Sequence, residues 1–81
     1  MKRSDILQLL QEILKRQGKP ADVAETAELS AIGFRSLDFS ELALRVETAT
    51  GRPLTFDAAP LRAIRTVADV LDFLQTASGQ P

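Results

Sequence analysis

Apolar side chains return every three or four residues in separate stretches of this 81-residue chain, and no stretch of useful length alternates as a strand would. We therefore predict an all-α fold. The apolar residues of the first stretch are Ile6, Leu9, Leu10 and Ile13. They predict a first helix that starts after Ser4 as its N-cap and runs to about Arg16. Gly18 and Pro20 stop that helix.

Three further helices follow a long first loop. The loop covers residues 21–35, whose apolar side chains have no regular period. The second helix is predicted to open at Ser36, with that serine at the N-cap or in the first turn, and to end at Gly51. A short third helix is predicted around residues 60–64, and Thr66 caps the last helix. The apolar stripe of the last helix is Val67, Val70, Leu71 and Leu74.

Chain length limits the number of domains. Eighty-one residues are too few for two independent cores, so we predict one four-helix bundle with three longer helices and one short helix. This single domain spans residues 1–81, with an ordered core over about 4–75 and a flexible tail from Ala77 onward. Apolar residues are 44% and charged residues 26% of the chain, as in ordinary folded proteins. We expect a monomer that folds alone.

Composition excludes several classes of function. The chain has no cysteine and no histidine, which removes disulfides, thiolate nucleophiles, imidazole bases and the usual zinc ligands. We therefore expect neither an enzyme nor a metal site. Ten basic and eleven acidic residues give a net charge of -1 without a basic stripe, so nucleic acid is not an expected partner. No apolar run approaches the roughly 20 residues that span a bilayer, and polar residues interrupt the N-terminal segment, so we expect a cytoplasmic protein.

The predicted second helix has an unusual outer face. Its core side holds Phe39, Leu42, Ala43, Val46, Ala49 and Thr50. Leu37 and Leu44 fall on the opposite side among charged residues. Single exposed leucines are ordinary, but a pair on one face beside Ser36 favours a surface that docks into a partner's groove. The residues predicted to contact partners are Arg35, Leu37, Asp38, Glu41, Leu44 and Arg45.

The segment IGFRSLDFSEL, residues 32–42, resembles the sequence around the prosthetic-group serine of acyl carrier proteins. Residues 51–54 also resemble the family's turn after the second helix, and residues 64–70 resemble its entry to the last helix. The likeness runs from about Ser4 to Leu74. Because length, helix order and motif agree, it is more specific than a short serine match. It implies the four-helix bundle of the acyl carrier type.

The resemblance implies that a phosphopantetheinyl transferase moves 4'-phosphopantetheine from coenzyme A to Ser36. The arm would hold an acyl group as a thioester and present it in trans to synthases, ligases or acyl-transferring enzymes of a fatty-acid, polyketide or related specialised pathway. The missing cysteine fits this division of labour, because the cofactor supplies the thiol. A serine at a helix start also suits a phosphate, which would lie near unpaired backbone N–H groups.

One position departs from the family pattern. Arg35 stands where the residue before the modified serine is usually aspartate. Our hypothesis is that Arg35 pairs either with the phosphodiester on Ser36 or with an acidic site on a dedicated partner. Arg35 also favours an alternative, an unmodified helical interaction module in which Ser36 is only a helix cap. A peptidyl carrier of nonribosomal synthesis, with an aminoacyl thioester, is a further alternative within the carrier class.

Whether the core opens to shelter a carried chain is left undetermined by the sequence. The residues that would line such a shelter are Phe39, Leu42, Val46, Ile64 and Leu71. All five are apolar, so ordinary core packing explains them equally well.

Overall fold

The computed structural model describes residues 1–54 and 62–78. These ranges contain four helices. The helices are α1 (Arg3–Arg16), α2 (Leu29–Ile32), α3 (Ser36–Thr50) and α4 (Val67–Ala77). The same ranges contain no strand, and their β-type pairing is an isolated antiparallel bridge between Glu28 and Thr66. The predicted all-α fold is therefore confirmed.

The core lies between α1 and the two long helices that pack against it, α3 and α4. Its buried residues are Ile6, Leu10, Ile13, Leu14, Phe34, Leu42, Ala43, Val46, Val67, Val70, Leu71 and Leu74. The predicted apolar stripe of α4 is thus buried in full. In α1, Leu9 is only partly buried and Leu14 is fully buried, because the face of α1 that packs in the core is rotated toward Leu14 from the predicted stripe. Burial of each large side chain contributes about 1.5–3 kcal/mol.

Helix α1 begins earlier than predicted. Its N-cap is Lys2, and Ser4 lies inside the first turn, so the prediction that Ser4 caps the helix is wrong. The Asp5 carboxylate accepts a hydrogen bond from the Lys2 backbone N–H at 3.3 Å, and the Lys2 carbonyl accepts from the N–H groups of Asp5 and Ile6. An acidic residue in the first turn supports this start because it interacts favourably with the helix dipole.

The long first loop contains helix α2 and is held against the start of α4. The Leu29 N–H donates to the Arg65 carbonyl at 2.9 Å, the Val67 N–H donates to the Ala27 carbonyl at 3.0 Å, and the Ala68 N–H donates to the Glu25 carbonyl at 2.8 Å. Helix α2 is a single turn whose stability depends on these distant partners. The sequence period did not predict it because short helices gain their stability mainly from tertiary contacts.

The two ends of the second predicted helix are confirmed. Helix α3 ends at Thr50, followed by Gly51 in the left-handed conformation with φ 71°, and the Gly51 N–H donates to the Glu47 carbonyl at 2.8 Å. Residues 60 and 61 of the predicted short third helix around residues 60–64 lie outside the described residues, and residues 62–64 are not helical. Ala77 belongs to α4 and Ser78 is buried, while residues 79–81 are outside the described ranges. The flexible tail therefore stays a prediction.

Candidate functional site

Helix α3 places Ser36 at the surface as its first residue. Arg35 is the N-cap, with extended backbone angles of φ -108° and ψ 177°, so Ser36 occupies the first-turn position that the sequence predicted. Ser36 is exposed. The backbone N–H groups of the first helical turn have no carbonyl partners within the helix and point toward the N-terminal end, where Ser36 lies.

Asp38 fixes the start of α3. Its Oδ2 accepts a hydrogen bond from the Arg35 backbone N–H at 2.8 Å, and its Oδ1 accepts from the Gln17 side-chain amide. Burial, which leaves the residue 6% exposed, acts to raise its pKa. The two hydrogen bonds and the charges of Lys19 and Arg35 outweigh burial and hold the pKa of Asp38 below its ordinary value. The carboxylate is therefore ionised, and each of its two oxygens accepts a hydrogen bond.

The turn before Ser36 is held from the other side by Lys19. The Lys19 ammonium donates to the Gly33 carbonyl, and its side chain lies so close that a Cβ on residue 33 would meet Nζ at 3.1 Å. Gly33 has a φ of 74°, in the left-handed region that favours glycine. Phe34, which follows, is buried and donates its N–H to the Leu29 carbonyl. The residues that carry Ser36 are thus anchored to the end of α1 and to α2.

A cleft of about 620 Å³ opens beside Ser36. Its lining residues are Leu29, Ser30, Gly33, Phe34, Arg35, Ser36, Phe39, Ser40 and Ile64. Of the five residues predicted to line a shelter for a carried chain, Phe39 and Ile64 line this cleft. Leu42, Val46 and Leu71 are instead fully buried in the core. The cleft therefore combines an apolar wall with hydroxyl groups next to the exposed serine.

The outer face of α3 is as apolar as the sequence predicted. Leu37 is 84% exposed and Leu44 is 61% exposed. The prediction that placed Asp38 on this face was wrong. Its carboxylate, at the third helical position, accepts the N-cap N–H and is buried, so it does not point outward with the exposed residues. Ala49, predicted for the core side, is exposed near the end of the helix.

Glu41 lies on the same face and is paired with two arginines. Arg16 of α1 and Arg45 of α3 both contact its Oε2, the latter with Nη2 at 3.1 Å. Arg45 also approaches Glu12 at 3.6 Å. The hydrogen bond from Arg16, helped by Arg45, holds the pKa of Glu41 below its ordinary value. The sequence did not reveal Arg16 or Glu12 as neighbours of this face because they belong to another helix.

The donor set around Ser36 suits a phosphodiester. The site offers an exposed serine as the point of attachment, first-turn N–H groups, and the cationic residue Arg35 on the same cleft. The nearby carboxylate of Asp38 is turned inward and occupied by two donors. An anion attached to Ser36 would therefore meet donors and positive charge, and the residues present fit the group.

The described ranges hold neither a metal cluster nor a membrane-spanning helix. Across residues 1–54 and 62–78 there is no cluster of three or more histidine, cysteine, aspartate or glutamate side chains arranged to hold a metal ion. Within those same segments, no helix is both long enough and apolar enough to cross a membrane. The start of α3 and its outer face remain the features that call for a functional explanation.

Comparison with known proteins agrees with this geometry. Residues 4–74 match a family model described as a phosphopantetheine attachment site. Comparisons with curated proteins and with solved structures gave no match. Domains of this family are sites of covalent 4'-phosphopantetheine attachment, act with phosphopantetheinyl transferases and partner enzymes, and are typically non-catalytic. Because the match spans most of the chain, this protein belongs to the phosphopantetheine attachment family and is a phosphopantetheine-bearing carrier protein.

Proposed function

We propose that Ser36 is the residue that receives 4'-phosphopantetheine, and that the loaded chain presents an acyl group in trans to biosynthetic enzymes. The observation that carries the proposal is the exposed position of Ser36 as first residue of α3, beside a cleft and inside the matched range 4–74. A serine there is accessible to a transferase and is held by a well-anchored turn.

The attachment transfers the phosphopantetheinyl group of coenzyme A to the hydroxyl of Ser36. The Ser36 Oγ forms a bond to the phosphorus that bears the pantetheine arm of coenzyme A. The bond from that phosphorus to the oxygen of the departing adenosine 3',5'-bisphosphate breaks, and the hydroxyl proton passes to a base of the transferase. When bound, the arm supplies a terminal thiol that holds the carried group as a thioester. The role of this chain is to hold Ser36 in place, which Asp38 and Lys19 do through the contacts above.

The docking surface of the proposal is the outer face of α3, defined by Arg35, Leu37, Glu41, Leu44 and Arg45. Asp38 is omitted because its side chain is buried. The two exposed leucines suit an apolar groove on the partner. Since Glu41 is paired with two arginines, this face does not present a purely acidic pattern, so the partner's groove needs charges of both signs around it.

The expected pathway is fatty-acid, polyketide or related specialised biosynthesis in the cytoplasm, with a monomeric carrier. A peptidyl carrier holding an aminoacyl thioester shares every feature described here. Arg35 specifically favours a second candidate, an unmodified interaction module, because it replaces the aspartate usual before the modified serine. The state of Ser36 separates this second candidate from a carrier.

The experiment incubates the purified protein with coenzyme A and a broad-specificity phosphopantetheinyl transferase and compares intact masses. Wild type is expected to gain one phosphopantetheine, and Ser36→Ala is expected to gain none. Ser40→Ala is the matched control, since Ser40 is exposed, lies one turn further along α3 and lines the same cleft. Equal gain by Ser36→Ala and wild type would refute the assignment, and no gain by wild type would favour the unmodified module.

The docking surface has a separate test. Leu44→Ala is expected to raise the KM of the transferase, or the Kd of a partner enzyme, by roughly tenfold, as for an interface anchor. Thr48→Ala, an exposed position one turn further on, is the control and is expected to change neither constant. Unchanged constants for both Leu44→Ala and Leu37→Ala would remove this face as the docking surface.

A further inference from the structure

Arg35 is the charged residue closest in sequence to Ser36. It is exposed, and it occupies the N-cap of α3. In the described ranges the arginines that form ion pairs are Arg3, Arg16, Arg45 and Arg65. Among the described residues the guanidinium of Arg35 therefore has no ion-pair partner, although its charge acts on Asp38 from a distance.

Two cations, Lys19 and Arg35, act on the carboxylate of Asp38 at the start of α3. The Lys19 ammonium is bound to the Gly33 carbonyl, and both oxygens of Asp38 accept hydrogen bonds. A phosphodiester on Ser36 would bring a new negative charge next to Arg35, whose guanidinium has no such bond in the described ranges.

Placement also favours contact between Arg35 and a group on Ser36. The two residues are consecutive and line the same cleft, together with the hydroxyl-bearing residues Ser30 and Ser40. Because the two residues are consecutive, an arginine side chain is long enough to bring its guanidinium to an oxygen of a group on Ser36. Guanidinium groups form charge-assisted hydrogen bonds with phosphate oxygens, and these are stronger than bonds between neutral groups.

We propose that Arg35 is the counter-ion of the phosphodiester on Ser36, so that modification stabilises the start of α3 and the modified protein resists unfolding better than the unmodified one. This inference rests on the proposed attachment at Ser36. An acidic site on a partner is the competing role for Arg35. The shared cleft and the position of Arg35 directly before Ser36 favour the phosphodiester.

The test measures the stability gained on modification. Wild type, Arg35→Gln and Arg52→Gln are each modified, with completeness checked by intact mass, and the urea unfolding of modified and unmodified forms is compared at low and high salt. Arg52 is the matched control because it is an exposed arginine beyond the other end of α3. In wild type and Arg52→Gln, modification is expected to raise the folding equilibrium constant by roughly fivefold at low salt, with a smaller gain at high salt.

In Arg35→Gln, most of that gain and its salt dependence are expected to disappear. Equal gains in wild type and Arg35→Gln, or no gain in wild type, would overturn the inference while leaving the attachment at Ser36 intact. If Arg35→Gln resists modification, the wild-type salt series decides, because a gain equal at low and high salt excludes an ion pair. Failure of wild type to gain mass would overturn the attachment and this inference together.

Discussion

The starts of α3 and α4 have the same residue at the third helical position and different residues at the N-cap. Both helices have aspartate at the third position, and its carboxylate accepts the N-cap N–H, from Arg35 to Asp38 at 2.8 Å and from Thr66 to Asp69 at 3.0 Å. At α4 the Thr66 hydroxyl also accepts the Asp69 N–H at 3.2 Å. Arg35 has only donors in its side chain, so at α3 this second bond is missing.

The two starts differ in whether the N-cap side chain accepts a first-turn N–H. At α4 the Thr66 hydroxyl does so, and the chain at Glu28 forms an antiparallel bridge with Thr66. At α3 Asp38 supplies the inward anchor, but Arg35 supplies no acceptor, and Arg35 and Ser36 line a cleft. Under the proposed attachment, a phosphate on Ser36 could accept hydrogen bonds from the N–H groups that Arg35 leaves uncapped.

Loss of the aspartate at the third helical position, which both starts share, should have the largest effect on the free energy of unfolding. Asp38→Ala is expected to lower the free energy of unfolding by about 2 kcal/mol, since the Arg35 N–H and the Gln17 amide lose a buried acceptor. Urea denaturation followed by circular dichroism measures the change. Asp22→Ala, at an exposed position, is the control. A variant as stable as wild type would show that the anchor does not hold α3.

Removal of the cap at α4 should have a smaller effect. Thr66→Ala is expected to cost about 1 kcal/mol of unfolding free energy, because the Asp69 N–H loses its side-chain acceptor. Thr66→Ser keeps the hydroxyl and should retain most of the stability. If Thr66→Ser and Thr66→Ala lose stability equally, the missing methyl group rather than the hydrogen bond explains the loss.

Converting the start of α3 into that of α4 tests the comparison directly. Arg35→Thr is expected to stabilise the unmodified protein by roughly 0.5–1 kcal/mol, since the new hydroxyl can accept the Asp38 N–H as Thr66 accepts that of Asp69. Arg35→Ala removes the cation without supplying an acceptor and is the control in the same unfolding assay. Equal stability of the two variants would argue that the open N–H groups of α3 are already satisfied.

The ionised state of Asp38 contributes part of the stability that Asp38→Ala is expected to lose, and this contribution depends on pH. Because the folded-state pKa is depressed, its contribution is fully present above the unfolded-state pKa, about 3.9, and is lost as the pH falls through the lower folded-state value. The stability difference between wild type and Asp38→Asn should therefore shrink below about pH 4. Unfolding curves from pH 7 to pH 2 measure it, and a difference independent of pH would contradict the assignment.

Local patterns predicted the helix ends that depend on nearby residues. The Thr66 cap of α4, the Gly51 stop and the position of Ser36 at the start of α3 are all confirmed. Two of the misses arise from first-turn carboxylates whose partners the helical period does not show. The Asp38 carboxylate turns inward and accepts the N-cap N–H of α3. The Asp5 carboxylate accepts the Lys2 N–H, which supports a start of α1 before Ser4. Helical periodicity alone does not describe such first-turn carboxylates.

The sequence by itself determined the helical class, the serine at the head of α3 and the two exposed leucines, because these follow from residues within one or two turns of each other. Only the tertiary structure decided what surrounds Ser36. Gln17 reaches Asp38, Lys19 reaches Gly33, and Arg16 reaches Glu41 from positions 14 to 25 residues away. Such contacts depend on how α1 packs against α3, and packing is set by the shape of the whole core rather than by any local period.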